Sequence, residues 1–407
     1  MKKLIGPFAQ ILTLRNLSLK GALKDEQLEI IESGGILVED GKIEQVGSFE
    51  ELRKANPNAV IDEIEDDQVA LPGFIDAHTH ICFGGSRARD FAARNNGKTY
   101  QEIAKAGGGI WDTVTKTREA SQHELTNSMT ARMDTLAKNG VTTVEVKSGY
   151  GLSVEEELKM LRVIREAGDQ HSMDVVATCL AAHIVPREFD NAEEYLEVIL
   201  QELVPKIQSE QLAQRFDVFV EDNAFNEHVS RDYLFKLKAA GFDITVHGDQ
   251  FTTGGSQVAI DAGAVSVDHL EASTDKEIQT LAKSNVIPTA LPGASIGLGC
   301  AFTPARKLLD AGCSLVIASD WNPGSGPHGY LLAQAAILST FEKLSAAEVF
   351  AGMTFRAANV LRLPDRGRLE AGKVADLVAF PTSDFREILY HQGELRAIGT
   401  WKGGRKL

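Results

Sequence analysis

The chain has 407 residues, 43% hydrophobic and 24% charged, ordinary globular composition and enough for a large barrel with a small accessory domain. Its net charge of −15 leaves no basic surface for nucleic acid. No apolar run approaches the roughly 20 residues a membrane helix needs, and Gly6, Pro7 and Gln10 interrupt the N-terminal stretch, so neither a membrane span nor a signal peptide is expected.

From the N-terminus, residues 1–66 read as short strands. Ile11–Leu14 is one. Two more flank Asp40-Gly41, a hairpin turn signal, at 35–39 and 42–46. A short helix is expected over Phe49–Ala55. Next, an apolar lead-in, Val69-Ala70-Leu71, is broken by Pro72-Gly73 and resumes as Phe74-Ile75-Asp76-Ala77-His78-Thr79-His80. Residues two apart on a strand share a face, so His78 and His80 can offer both imidazoles to one ion. Cys82 is not counted as a ligand. It and Cys179, Cys300 and Cys313 are scattered, with no C-x-x-C pair, and read as reduced cytosolic thiols.

After His80 the pattern alternates between strands and helices. Helices are expected over 100–106 and 111–138, the second stopped by Gly140. Strand 141–146 leads to a turn at Lys147-Ser148-Gly149-Tyr150. Ser153 caps a helix to Ala167, with Glu156 placed to complete a capping box. Strand 174–180 leads to His183, and 191–208 is helical despite Pro205. Strand 216–220 ends at Glu221-Asp222, and a helix over 227–240 follows. Strand 243–246 ends at His247-Gly248-Asp249-Gln250, and 255–262 is helical. Strand 265–268 meets His269, and 275–284 is helical. Strand 286–290 runs into Leu291-Pro292-Gly293, and 303–311 is helical. Strand 314–318 ends at Ser319-Asp320, followed by helices near 329–340 and 345–353. The tail returns to β structure at 377–380 and 396–401.

Eight strands, each followed by a helix, predict an α/β fold: a (β/α)8 TIM barrel over 67–355. Residues 1–66 and 356–407 would together form a small composite β-sandwich, since neither end can bury a core alone. In such a barrel chemistry sits at the C-terminal ends of the strands. His78, His80, His183, His247 and His269, five of the ten histidines, fall there, with Lys147, Tyr150, Glu221, Gln250 and Asp320. His123, His171, His228, His328 and His391 are expected on helices or loops, away from this cluster. Three imidazoles and one carboxylate suit Zn2+ or Fe2+/Fe3+ better than Mg2+ or Ca2+, so His78, His80, His247 and Asp320 are the expected ligands of one metal ion. Asp320 could also take a proton from water, and His269 is placed to meet the hydroxide or the carbonyl under attack. Lys147 is read as structural.

The H-x-H run, the later histidines, the strand-8 aspartate and the terminal sandwich resemble the amidohydrolase superfamily over the whole chain. The strand-4 lysine that two-metal members carry is missing, which implies one metal. Glu221 remains open as a bridge to a second. The deaminases of that superfamily place Glu where this chain has Gln250, an amide that cannot shuttle a proton. The finer motifs, F-G-G-S-R (83–87), E-V-K-S-G-Y-G-L (145–152), A-A-H (181–183), H-G-D-Q (247–250), V-D-H-L-E (267–271) and S-D-W-N-P-G-S (319–325), are similar to the imidazolonepropionase family of histidine degradation. Some of its members carry Glu at the Gln250 position. The resemblance implies hydrolysis of the ring amide of 4-imidazolone-5-propanoate, a small anionic substrate. It implies catalytic roles for His269, Asp320 and Gln250. It also implies substrate contacts from Arg87, Tyr150, His183 and Gln250, with Asn322, Gly324 and Ser325 lining the pocket. Arg87 can bind the carboxylate bidentately. Another cyclic-amide hydrolase, a deaminase or a non-catalytic scaffold stay open as alternatives. A cytoplasmic enzyme is expected, and a homodimer is compatible with the sequence, which does not set the oligomeric state.

Overall fold

In the computed structural model, which describes residues 2–222 and 224–407, the strands separate into two sheets of eight. One is assembled from both ends of the chain. Lys3–Leu12 pairs antiparallel with Ile30–Glu39 and parallel with Val60–Glu63 and Val69–Pro72. Val69–Pro72 also pairs with Leu377–Phe380, which pairs with Gly399–Lys402. The edge strand Lys42–Ser48 returns against the C-terminal segment through the Lys42–Val374 bridge and hydrogen bonds from Ile43 N to Lys373 O and from Ala375 N to Gly41 O. The sheet thereby wraps a core of its own that includes Ile5, Phe8, Ile36, Leu377 and Trp401. The hairpin at Asp40-Gly41 forms as expected, with positive φ at both residues (49° and 78°).

The second sheet is parallel and sequential: β1 (Phe74–Asp76), β2 (Val141–Lys147), β3 (Asp174–Ala182), β4 (Arg215–Val220), β5 (Asp243–Gly248), β6 (Ser266–His269), β7 (Ile287–Ala290) and β8 (Val316–Ile317). The seam between β8 and β1 is closed just past the strands. Asp320 N donates to His78 O (3.0 Å), His80 N donates to Trp321 O (2.9 Å), and Thr79 bridges Trp321. The backbone that closes the barrel thus carries two of the histidines and the aspartate. Pro72-Gly73 is the switch between the sheets. A Cβ at Gly73 would stand 2.5 Å from the Thr142 side chain, so only glycine lets β1 lie this close to β2.

Several expectations need correction. The first strand spans Lys3–Leu12, not only 11–14, and carries its register shift at residues 5–8, around Gly6-Pro7. The helix expected over 111–138 is two helices, Ile110–Glu119 and Gln122–Lys138, because Ser121 and Glu124 form a capping box that starts the second. At Ser153 the cap is one-sided: Ser153 accepts from Glu156 N, while the Glu156 carboxylate pairs with Lys159. The run 192–210 stays helical through a π turn at Ile199–Leu203, just before Pro205, which has no N–H to give back to the preceding turn. Helices Ala88–Asn95, Pro292–Leu298, Phe355–Val360 and Arg386–Tyr390 are additional. No helix among the described residues is long and apolar enough to cross a membrane.

Candidate metal and substrate site

At the C-terminal mouth of the barrel, three imidazole nitrogens and a carboxylate meet. His80 Nε2 lies 3.3 Å from His78 Nε2 and 3.3 Å from His247 Nε2. Asp320 Oδ1 lies 3.4 Å from His80 Nε2 and 3.7 Å from His78 Nε2. All four side chains are buried. Burial holds His78 and His80 well below the ordinary imidazole pKa and His247 at about 4, so the rings are neutral and their lone pairs face one another. Neutral lone pairs do not attract, and a cation among them resolves the arrangement. The corners of a tetrahedron about 2.0–2.1 Å from its centre are ~3.3–3.4 Å apart, and that radius is the Zn–N bond length. The donor set therefore fits a metal ion. His269 is also in reach, forming a second potential ligand group with His78 and His247.

Carboxylates behind the histidines set their orientation. His78 Nδ1 lies 2.7 Å from Asp268 Oδ2, and His247 Nδ1 lies 2.9 Å from Asp217 Oδ2. A ring that gives its Nδ1 proton to a carboxylate leaves Nε2 bare, as a metal ligand needs. Asp217 lies outside the motifs, and Asp268 sits inside V-D-H-L-E with no role assigned to it. The available signal was an acid inside an apolar strand, Phe216-Asp217-Val218 and Val267-Asp268, since a buried carboxylate needs a partner. Lys147, read from the sequence as structural, is fully buried with Nζ 2.8 Å from Glu145 Oε1 and 2.9 Å from Asp217 Oδ2, so it belongs to this network.

Asp320 and His269 both adopt positive φ (49° and 90°), conformations that carry strain and that the surrounding bonds enforce. Burial pushes the Asp320 carboxyl up to about 7, opposed by the charge of nearby His269. For His269 burial acts downward, but Glu271, 3.4 Å from Nδ1, outweighs it and raises the pKa.

Above these four side chains lies a pocket of about 210 Å3. It gathers His80, Arg87, Tyr150, His183, His247, Gln250, His269, Asp320, Asn322, Gly324 and Ser325, while His78 sits below it. Ile110, Phe219, Phe251 and Leu298 add apolar walls, and Arg94 a second cation; none of these was singled out from sequence. A larger depression of about 700 Å3 opens at the opposite end of the barrel, among Arg165, Asp174, Asp243 and Arg366, but among the described residues the converging donors lie at the smaller one. His183 stacks on His80 (centroids 5.6 Å, 21°), with its Nδ1 3.0 Å from Gly149 O. Arg87 approaches the strand-8 loop at Gly324, where a Cβ would meet its Nη1 at 2.4 Å. Asn322 accepts from Gly324 N and Ser325 N and donates to Asp320 O and Ser325 Oγ, so its amide shapes this loop.

Glu221 is not free to bridge a second metal. It accepts from the backbone N of Gln250 (2.9 Å), Phe251 (2.9 Å) and Thr252 (3.1 Å) and from Thr252 Oγ1 (2.6 Å), anchoring the loop after β5. His328 is exposed, accepting at Nδ1 from Tyr330 N, and His123 and His228 are exposed as well.

The amidohydrolase family profile matches residues 69–403, and a profile described as the imidazolonepropionase-like composite domain of bacteria matches 34–59. An imidazolonepropionase from a Geobacillus species is 39% identical over 405 residues, covering 98% of this chain and 96% of that protein. One from Bdellovibrio bacteriovorus is 37% identical, covering 99% and 96%. Among solved structures, guanine deaminase from E. coli superposes with a TM-score of 0.76 at 16% identity, covering all of this chain and 99% of that one. A zinc complex of atrazine chlorohydrolase from Arthrobacter aurescens gives 0.72 at 16%, covering 99% and 94%. At such identities these structures speak for the fold alone.

Proposed function

The chain belongs to the imidazolonepropionase family of amidohydrolases, and on that premise we propose how its own residues open the ring of 4-imidazolone-5-propanoate to N-formimidoyl-L-glutamate. The observation that carries the reading is the convergence of His78, His80 and His247 Nε2 and Asp320 Oδ1 at 3.3–3.7 Å beneath a pocket that also presents Arg87. These four residues would hold one divalent ion, Zn2+ or Fe2+. When bound, the ion supplies Lewis acidity that makes water nucleophilic near neutral pH.

The remaining chemistry falls to side chains. Asp320, beside the water's place at the pocket floor, accepts the proton of the attacking water. As the C–O bond forms, negative charge grows on the amide oxygen, and His269 stabilises it from β6 by hydrogen bonding. The ring C–N bond then breaks, and Asp320 returns its proton to the departing nitrogen. Proton, oxygen and nitrogen balance as one water consumed per ring opened. Gln250 cannot ionise, so it orients the ring through amide hydrogen bonds. That also removes the proton shuttle a deaminase would need at this position. Tyr150 and His183 form the wall beside His80, and Arg87 binds the propanoate carboxylate.

The test is direct. Purified protein with one divalent metal per chain should turn over imidazolonepropanoate, followed by loss of its ultraviolet absorbance. No turnover with metal in place would refute the substrate assignment.

A further inference from the structure

Arg87 caps the helix Ala88–Asn95, and Arg94 lies seven residues further on that helix. Seven residues are two turns, so both side chains stand on one face, and both line the substrate pocket. The carboxylate nearest in sequence is Asp90. One of its oxygens, Oδ2, accepts from Arg87 Nε at 2.9 Å and from Gly109 N at 2.8 Å. Two guanidinium charges therefore share one local carboxylate, and Arg87 holds it. Among the described residues no carboxylate or carbonyl accepts from Arg94. Its Nη2 is buried without a partner, and its neighbour is the Phe91 ring, 5.9 Å from Cζ to centroid. A guanidinium carries five donors and is expensive to leave unsatisfied out of water. Burial and the adjacent Arg87 charge both act to lower its pKa, against Asp90. The pocket thus holds like charges side by side, a conflict that an entering anion removes.

We infer that Arg94 is a second anion-binding residue of this pocket, forming with Arg87 a two-guanidinium site for the substrate carboxylate. The inference rests on the substrate reading above. It also answers a problem set by composition: a protein of net charge −15 repels an anionic substrate at long range, and paired cations at the mouth reverse the local sign. Arg87 alone, partly neutralised by Asp90, does this less well.

The experiment compares parent, Arg94→Met, Arg94→Gln and Arg94→Lys. With imidazolonepropanoate, Arg94→Met and Arg94→Gln should raise KM about tenfold or more, with kcat within about twofold and metal content unchanged, and Arg94→Lys should recover part of the loss. In the parent, kcat/KM should fall with ionic strength, and that slope should flatten in Arg94→Met. Binding of 3-(imidazol-4-yl)propanoate should weaken in Arg94→Met, whereas binding of its neutral amide should not. Parental KM and an unchanged salt slope in a folded Arg94→Met protein would overturn the inference and leave Arg94 as packing for Phe91. The binding arm needs no turnover. A parent inactive on imidazolonepropanoate would refute the substrate reading, while loss of carboxylate-selective probe binding in Arg94→Met would still support Arg94, and its retention would refute it.

Discussion

Lys147 and Asp217 form a fully buried ion pair, Nζ to Oδ2 at 2.9 Å, and the same aspartate oxygen lies 2.9 Å from His247 Nδ1. On its other side Lys147 Nζ is 4.0 Å from Asp268 Oδ2, the oxygen that holds His78. One ammonium thus stands behind two of the three imidazoles that converge at the candidate metal site. It offsets the charge of Asp217, whose carboxyl burial would otherwise drive toward the neutral form. Lys147→Met should therefore weaken metal affinity, read by competition with a chelator, by at least a decade. It should also lower Tm, because removing one partner of a buried pair costs ~3–5 kcal/mol. Added zinc should restore part of the Tm.

His247→Ala should lose metal and activity together while keeping its far-ultraviolet circular dichroism, since β5 continues to pair on both sides. Stripping the parent with a chelator should lower Tm by mass action and restoring the ion should reverse it. Full activity in a metal-free preparation would refute the ligand assignment.

Asp320→Asn and His269→Asn should each reduce kcat by orders of magnitude with smaller changes in KM. They act on proton transfer and on charge that develops only in the transition state. A His269→Asn enzyme altered in KM alone would make His269 a substrate-positioning residue.

Arg87→Met should cripple turnover of the acidic substrate, and Arg87→Lys should rescue it only in part, because lysine keeps the charge and loses the planar fork. Breaking a desolvated charge pair from one side costs ~3–5 kcal/mol, or roughly two to four decades in kcat/KM. Metal content should not change.

Glu221→Gln should loosen the 250–252 loop, because an amide nitrogen cannot accept from the backbone N–H groups that the carboxylate now satisfies. An unsatisfied buried donor costs ~1–3 kcal/mol, so kcat/KM should fall by about one to two decades, chiefly through KM, as Gln250 loses its position. Parental kinetics in this variant would make the anchor redundant.

The barrel strands were legible because their signals are local: apolar runs of period two, broken by glycine and capped by polar residues. His78 and His80, two apart at the end of such a run, announce a shared face without any tertiary information. Asp320, His247 and His269 could be grouped with them because every strand of a parallel barrel ends at the same mouth. The sequence by itself thus determined the fold class and which motif residues gather at the barrel mouth. The tertiary structure alone decided what stands behind and beside them. Lys147, Asp217 and Asp268 lie on three different strands, and their pairing depends on distances of a few ångströms across the barrel, which no spacing along the chain encodes. Glu221 became a loop anchor for the same reason: whether a carboxylate meets a metal or a row of N–H groups is set by which backbone folds over it.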